Sequence, residues 1–284
     1  MSRRMIWKGA IANLLVSFLW ICPPAVATEE ESRFRPFVDL VKQADAMVTV
    51  RFVVKVQMPG IDQEAESEVT CLSIDPEGLV LCSATELGGY FSVMARLMGR
   101  SDAPIRAVPT DLQVVVAEGT EYAADLMARD SERDLAWLML RDLPSDVRLP
   151  YFDFSAHAEP EIGESVFLLR RMDPFFGSAP VVSEARIAAV IDQPRRLIVL
   201  SRPEGRMGMP AVAADGRILG LVVTQVPGSD DGQAVVNLRS RSLPGQPGPQ
   251  DDMLAGVVLP AGDVVRATEL ARQVWAEDRA EALE

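Results

Sequence analysis

Histidine and cysteine are scarce in this 284-residue chain and stand far apart, and nothing in the spacing of its 41 acidic residues identifies a catalytic carboxylate pair. There is one histidine, His157, and three cysteines: Cys22 in an apolar N-terminal stretch, and Cys71 and Cys82 on either side of Asp75-Pro76-Glu77-Gly78. A zinc site of ordinary ligand type has little material here. No glycine loop of the phosphate- or dinucleotide-binding kind occurs, so no metal and no cofactor is expected. The stretch best suited to frame a site is Gly205-Arg206-Met207-Gly208-Met209-Pro210. Its glycines permit positive φ and close backbone approach, and its proline stiffens the exit. The central side chain, Met207, is a thioether and cannot serve as an acyl nucleophile. Ser83 and Ser201 are the alternative nucleophiles for a hydrolase. His157 lies in a polar loop and is expected to be solvated.

The elements that would position these residues read as strands. Met47 to Val56 is β-branched, Pro59 to Glu66 reads as a loop, and Val69–Ile74 and Leu79–Ser83 form a hairpin about the Asp-Pro-Glu-Gly turn. Leu112–Val116 and Tyr122–Met127 form a second hairpin, followed by Asp130 to Leu138. Ser165–Leu169, Ala179–Ile191, Arg196–Ser201, Ala211–Ala213, Arg217–Gln225 and Leu254–Leu259 complete the set. Short helices are expected from Pro36, with Phe37, Leu40, Val41 and Ala44 on one face, and over Tyr90 to Met98. A C-terminal helix follows Pro260, with Val264, Val265, Leu270 and Val274 on one face. Pro227–Gly232 and Ser240–Asp252 read as loops, with a short strand Ala234–Leu238 between them.

A two-residue turn at Pro76-Glu77 sets Cys71 opposite Cys82, and a disulfide can then close in an oxidising compartment. A bulge at Gly78 instead sends them to opposite faces as two small buried side chains. Both arrangements fit the sequence. Net charge is −13, and residues 1–27 hold Arg3, Arg4 and Lys8 with no acid, so the rest is more acidic still. Nucleic acid and anionic membrane are therefore poor partners. The basic start, the apolar core Ala10–Ile21 and Ala25-Val26-Ala27 form a signal peptide cleaved after Ala27, implying export to the periplasm or cell envelope, with no stable membrane span afterwards.

Several of these motifs together resemble trypsin-like serine proteases of the HtrA/Deg type. Gly205, Gly208 and Pro210 match the family's GNSGGP, while Arg206, Met207 and Met209 depart from it. Val69 to Leu87 is similar to GSGFIIDPDGLILTNAHVV, with Thr85 where the family has its general-base histidine. Asp130 to Leu138 resembles DPETDLALL, placing Asp134 at the acid that orients the histidine. Asp173–Gly177 resembles GNPFG, and Leu254 to Pro260 resembles GFAIP. The resemblance implies an all-β fold of two six-stranded antiparallel β-barrels with short helices and a C-terminal helix. Its organisation would be a signal peptide (1–27), a lead-in and short helix (28–45), an N-terminal barrel (46–142), a linker (143–164), a C-terminal barrel with helix (165–275) and a tail (276–284). No PDZ module is expected.

It also implies triad positions at Thr85, Asp134 and Met207, with Gly205 in the oxyanion loop. Neither a hydroxyl of ordinary acidity nor a thioether replaces the missing base and nucleophile. The expectation is a pseudoenzyme that binds protein or peptide in its former cleft, with Arg206, Gly208 and Met209 as contacts. Asp134 would then serve as a buried acceptor for backbone N–H groups or as a turn cap. The alternatives are a hydrolase acting through Ser83 or Ser201, and a structural or regulatory subunit that pairs with an active HtrA-type protease or with itself.

Overall fold

The structure is a computed structural model that describes residues 35, 37–58, 61–89, 106–116, 119–172, 174–193, 195–202, 207–225 and 256–281. The segments expected as signal peptide (1–27), Tyr90–Met98 helix, Ala234–Leu238 strand and the two loops between Pro227 and Asp252, with Gly205 and Arg206, lie outside the described residues.

The hairpin of β2 (Ile61–Ser73) and β3 (Leu79–Ser83) shows how sequence dictates pairing. Asp75 accepts the Glu77 N–H at 2.7 Å, and the Ile74 N–H donates to the Leu79 carbonyl at 2.9 Å. Gly78 closes the turn at φ +101°, which an L side chain resists. Leu72 then faces Leu81 and Ser73 faces Val80, so Cys71 and Cys82 are opposite one another. Their sulfurs are bonded, with Cα atoms 4.7 Å apart.

β1 (Met47–Met58), β4 (Arg106–Val115), β5 (Glu121–Asp130) and β6 (Leu135–Leu140) complete a closed barrel in the order β1-β2-β3-β6-β5-β4. β7 (Ser165–Arg171), β8 (Pro180–Ile191), β9 (Leu197–Leu200), β10 (Pro210–Ala213), β11 (Ile218–Val223) and β12 (Val257–Pro260) close a second in the order β10-β11-β12-β9-β8-β7. All pairs within the barrels are antiparallel. Each barrel has its own apolar filling, and a third cluster, including Leu81, Trp137, Phe167 and Leu221, lies between them. The expected double barrel is therefore the fold.

Three local expectations need correction. Ile61 to Glu66 is strand, not loop: it pairs with β1 from Met58↔Ile61 onward. Its carboxylates hide the β signal, but they find cross-strand partners, as in Lys55–Glu64 at 2.9 Å. In the first helical segment Leu40 and Ala44 are buried, whereas Val41 is exposed. The C-terminal helix α1 (Ala261–Glu281) runs past Trp275 and buries Ala261, Val264, Thr268 and Ala271. Leu270 and Val274, expected on the inner face, are 60% and 43% exposed, because the 264–268–271 stripe faces the protein and leaves them to one side.

That helix is tied to the first barrel by a buried pair. The Trp137 indole N–H donates to the Thr268 hydroxyl at 3.0 Å, and that hydroxyl donates to the Val264 carbonyl at 2.7 Å. Thr268→Val keeps the volume and orphans the indole N–H, which costs about 1–3 kcal/mol. The expected result is a lower urea midpoint with an unchanged slope; an unaltered midpoint would refute this anchoring role.

Candidate functional site

The chain brings Asp134 to the seam between the barrels. It sits in the turn before β6 at φ +60°, a left-handed conformation that aspartate tolerates better than most residues. Its own carbonyl accepts the Ala84 N–H at 3.1 Å, fixing it beside the end of β3. Asp134 is 2% exposed. The Ser83 hydroxyl donates to its carboxylate, 2.9 and 3.0 Å from the two oxygens. The Thr85 N–H donates to Oδ1 at 2.6 Å, and the Thr224 N–H, just beyond β11 in the second barrel, donates to Oδ2 at 2.8 Å. One side chain thus joins both barrels. Burial pushes its pKa above the usual carboxylate range, against the opposing pull of the Thr224 and Thr85 N–H groups and the Thr85 and Ser83 side chains. Arg129 reaches the same corner and donates to the Ala84 carbonyl at 2.5 Å. Burial lowers its pKa, opposed by the negative charge of Asp134.

Met207, Gly208 and Met209 lie across from this network. Gly208 is buried at φ +76°, and a side chain there would point at the Thr70 carbonyl (3.5 Å) and the Ser83 N–H nitrogen (3.6 Å). Ser83 therefore separates the Met207–Gly208 loop from Asp134, and Thr85, two residues on, donates to that acid. Met209 is 3% exposed and belongs to the core of the second barrel, against which Met207 also packs. Gly208 and Met209 are thus buried components of the cleft wall.

The cleft itself has a volume of about 350 Å³. Thr49 of β1 and Glu68, Val69 and Thr70 of β2 form one wall, with Glu86 nearby. Arg170, Arg171 and Met172 at the end of β7 line it from the second barrel, together with the methionine loop. Arg171 is held by the Ala44 and Ser178 carbonyls at 2.8 and 3.1 Å, which fixes that wall.

The remaining nucleophile and base candidates are elsewhere or enclosed. Ser83 is 1% exposed, and its proton is directed at Asp134. Ser201 is exposed, and its hydroxyl accepts the Arg186 N–H at 3.1 Å. His157 is exposed, bridges to Ile218 and lies near Gly262 at the start of α1; it does not line the cleft.

Residues 69–221 match the trypsin-like peptidase domain. The chain belongs to the trypsin-like peptidase family. The matched span begins on β2 and ends on β11, so it takes in Thr85, Asp134 and Met207 and parts of both barrels. No curated protein matches the chain. No helix among the described residues is long and apolar enough to cross a membrane.

Sequence reasoning pointed to Asp134 as an acceptor of backbone N–H groups, but not to its donors. Thr224 follows the wholly apolar run Ile218–Val223, and nothing local marks its N–H as the partner of an acid ninety positions earlier. In the sequence Ser83 stands out only as a candidate nucleophile. Its neighbour, the positive-φ Gly208, is the one signal that the two loops approach closely.

Proposed function

We propose that this trypsin-like peptidase fold is a non-catalytic module, exported to the cell envelope, that binds protein or peptide in the cleft between its barrels. One observation carries the reading: the Asp134 carboxylate is filled by the Ser83 hydroxyl and the Thr85 and Thr224 N–H groups, with no imidazole to orient. A triad needs a base that can take a proton and a nucleophile that can give one. Thr85 and Met207 supply neither. The cleft remains as a shaped, mixed-charge groove whose methionines adapt to apolar side chains.

The test is equilibrium binding of fluorescein-labelled extended peptides to the protein lacking residues 1–27. Thr49→Trp, which places an indole in the cleft, should weaken binding about tenfold or more while leaving the fold intact by circular dichroism. Absence of binding to any peptide would overturn the reading.

A further inference from the structure

β2 is much longer than its partner β3, and among the described residues this leaves a strand edge without a pairing strand next to the cleft. β2 pairs with β1 along Ile61–Leu72, but with β3 only over Leu72 and Ser73. Beyond that point no strand among the described residues covers its other side. Strand geometry says which main-chain groups are left over. Ile74 bonds toward β3, and the N–H and C=O of a strand residue point to the same side, alternating along the chain. With no register shift in the β1–β2 ladder, the even residues back to Asp62 aim their N–H and C=O groups at the open side. The Thr70 carbonyl, which faces Gly208, obeys the same parity.

The open stretch is acidic. Residues 64–68 are all exposed. Glu64, Glu66 and Glu68 share one face by the two-residue repeat, opposite Lys55, Val53 and Arg51. Lys55 pairs with Glu64, and Arg51 is shared between Glu68 at 4.0 Å and Glu121 at 2.8 Å. Four carboxylates thus meet two bases, and Glu66 lies opposite an apolar residue. Glu68, Val69 and Thr70 carry the same edge into the cleft.

The geometry points to β2 as the docking strand: an extended, basic segment of a partner protein adds antiparallel along the even-residue edge from Asp62 to Thr70 and leads into the cleft. This inference rests on the binding reading above and names its partner chemistry. Main-chain hydrogen bonds would supply the adhesion, and the acid face would select lysine or arginine at alternate positions. A second copy is disfavoured, because pairing β2 with itself sets carboxylates against carboxylates.

The experiment uses three peptides of about ten residues, enough to span the open edge at about 3.3 Å per residue. One alternates lysine and valine, one alternates glutamate and valine, and the third is the lysine peptide N-methylated on alternate amides. The lysine peptide should bind, and the other two should bind at least about tenfold more weakly. Glu66→Lys should weaken binding through charge. Glu66→Pro should do so by removing an outward N–H that β1 does not use. If Glu66→Pro does not fold, the N-methylated peptide makes the same cut from the ligand side. Peptide binding that survives N-methylation and Glu66→Lys but is lost in Thr49→Trp would overturn the β2 edge and leave the cleft reading standing. No binding of any peptide would overturn both. A dimer by sedimentation that Glu66→Lys strengthens would assign the edge to self-association and overturn the basic-partner inference.

Discussion

Asp134→Ala should be the most damaging single substitution at the seam, lowering stability by roughly 4 kcal/mol or more. It orphans three donors, the buried Ser83 hydroxyl and Thr224 N–H and the half-buried Thr85 N–H, each worth about 1–3 kcal/mol when left unpaired. It also puts alanine at φ +60°, a further cost of about 1 kcal/mol. Because Thr224 belongs to the second barrel and Ser83 and Thr85 to the first, the loss acts on how the barrels hold together. Asp134→Asn tolerates the same φ but replaces one acceptor oxygen with an N–H donor, so it should retain part of the network. Urea unfolding would read both variants, and an Asp134→Ala midpoint equal to wild type would contradict the assigned role.

The same residue sets a pH dependence whose sign is fixed. Burial raises the folded pKa of Asp134 above its ordinary 3.8, so the folded state holds this proton more tightly than the unfolded chain. The stability contributed by Asp134 therefore falls as pH rises from 3.8 through the raised value, and levels off above it. Asp134→Asn lacks this dependence. The stability gap between the two proteins should be widest at acid pH and narrow as pH rises; a gap that widens instead would show that the network favours the ionised form.

Removing the Cys71–Cys82 bond should cost about 3 kcal/mol. The bond closes a short loop, with the cysteines 11 positions apart, and the chain-entropy model assigns about that amount to a loop of this size. Both cysteines are 0% exposed, so the double alanine variant also loses packing inside the first barrel. The tie sits directly before Ser83, and its loss should loosen the end of β3 that presents Ser83 and Thr85 to Asp134. Thermal unfolding of Cys71→Ala/Cys82→Ala should show a clearly lower Tm, and an unchanged Tm would refute the stabilising role.

The legible parts of this fold are those where local chemistry decides. Asp75-Pro76-Glu77-Gly78 announces a turn because proline fixes φ and glycine permits the positive φ that closes it, and β3 begins where its apolar run does. Gly205 to Pro210 and the aspartate before Leu135 are visible as motifs. The Ile61–Glu66 strand was not legible, because its carboxylates have low strand propensity and only Lys55 and Arg51, across the hairpin, make them acceptable there. The inner face of α1 is not legible in the sequence, because Leu270 and Val274 are more apolar than Thr268, yet the buried indole of Trp137 needs that hydroxyl. The donors to Asp134 come from two distant segments, the end of β3 with Ser83 and Thr85 and the residue after β11, Thr224. Only folding brings them together, and no spacing rule would have found them.

Purified protein lacking residues 1–27, incubated with a mixture of internally quenched peptides, tests the central claim most directly. Loss of the serine or the histidine from a working triad removes about six orders of magnitude in kcat, so the predicted cleavage rate is that of buffer alone. Peptide cleavage above that background, abolished by a fluorophosphonate that labels one serine, would contradict the account.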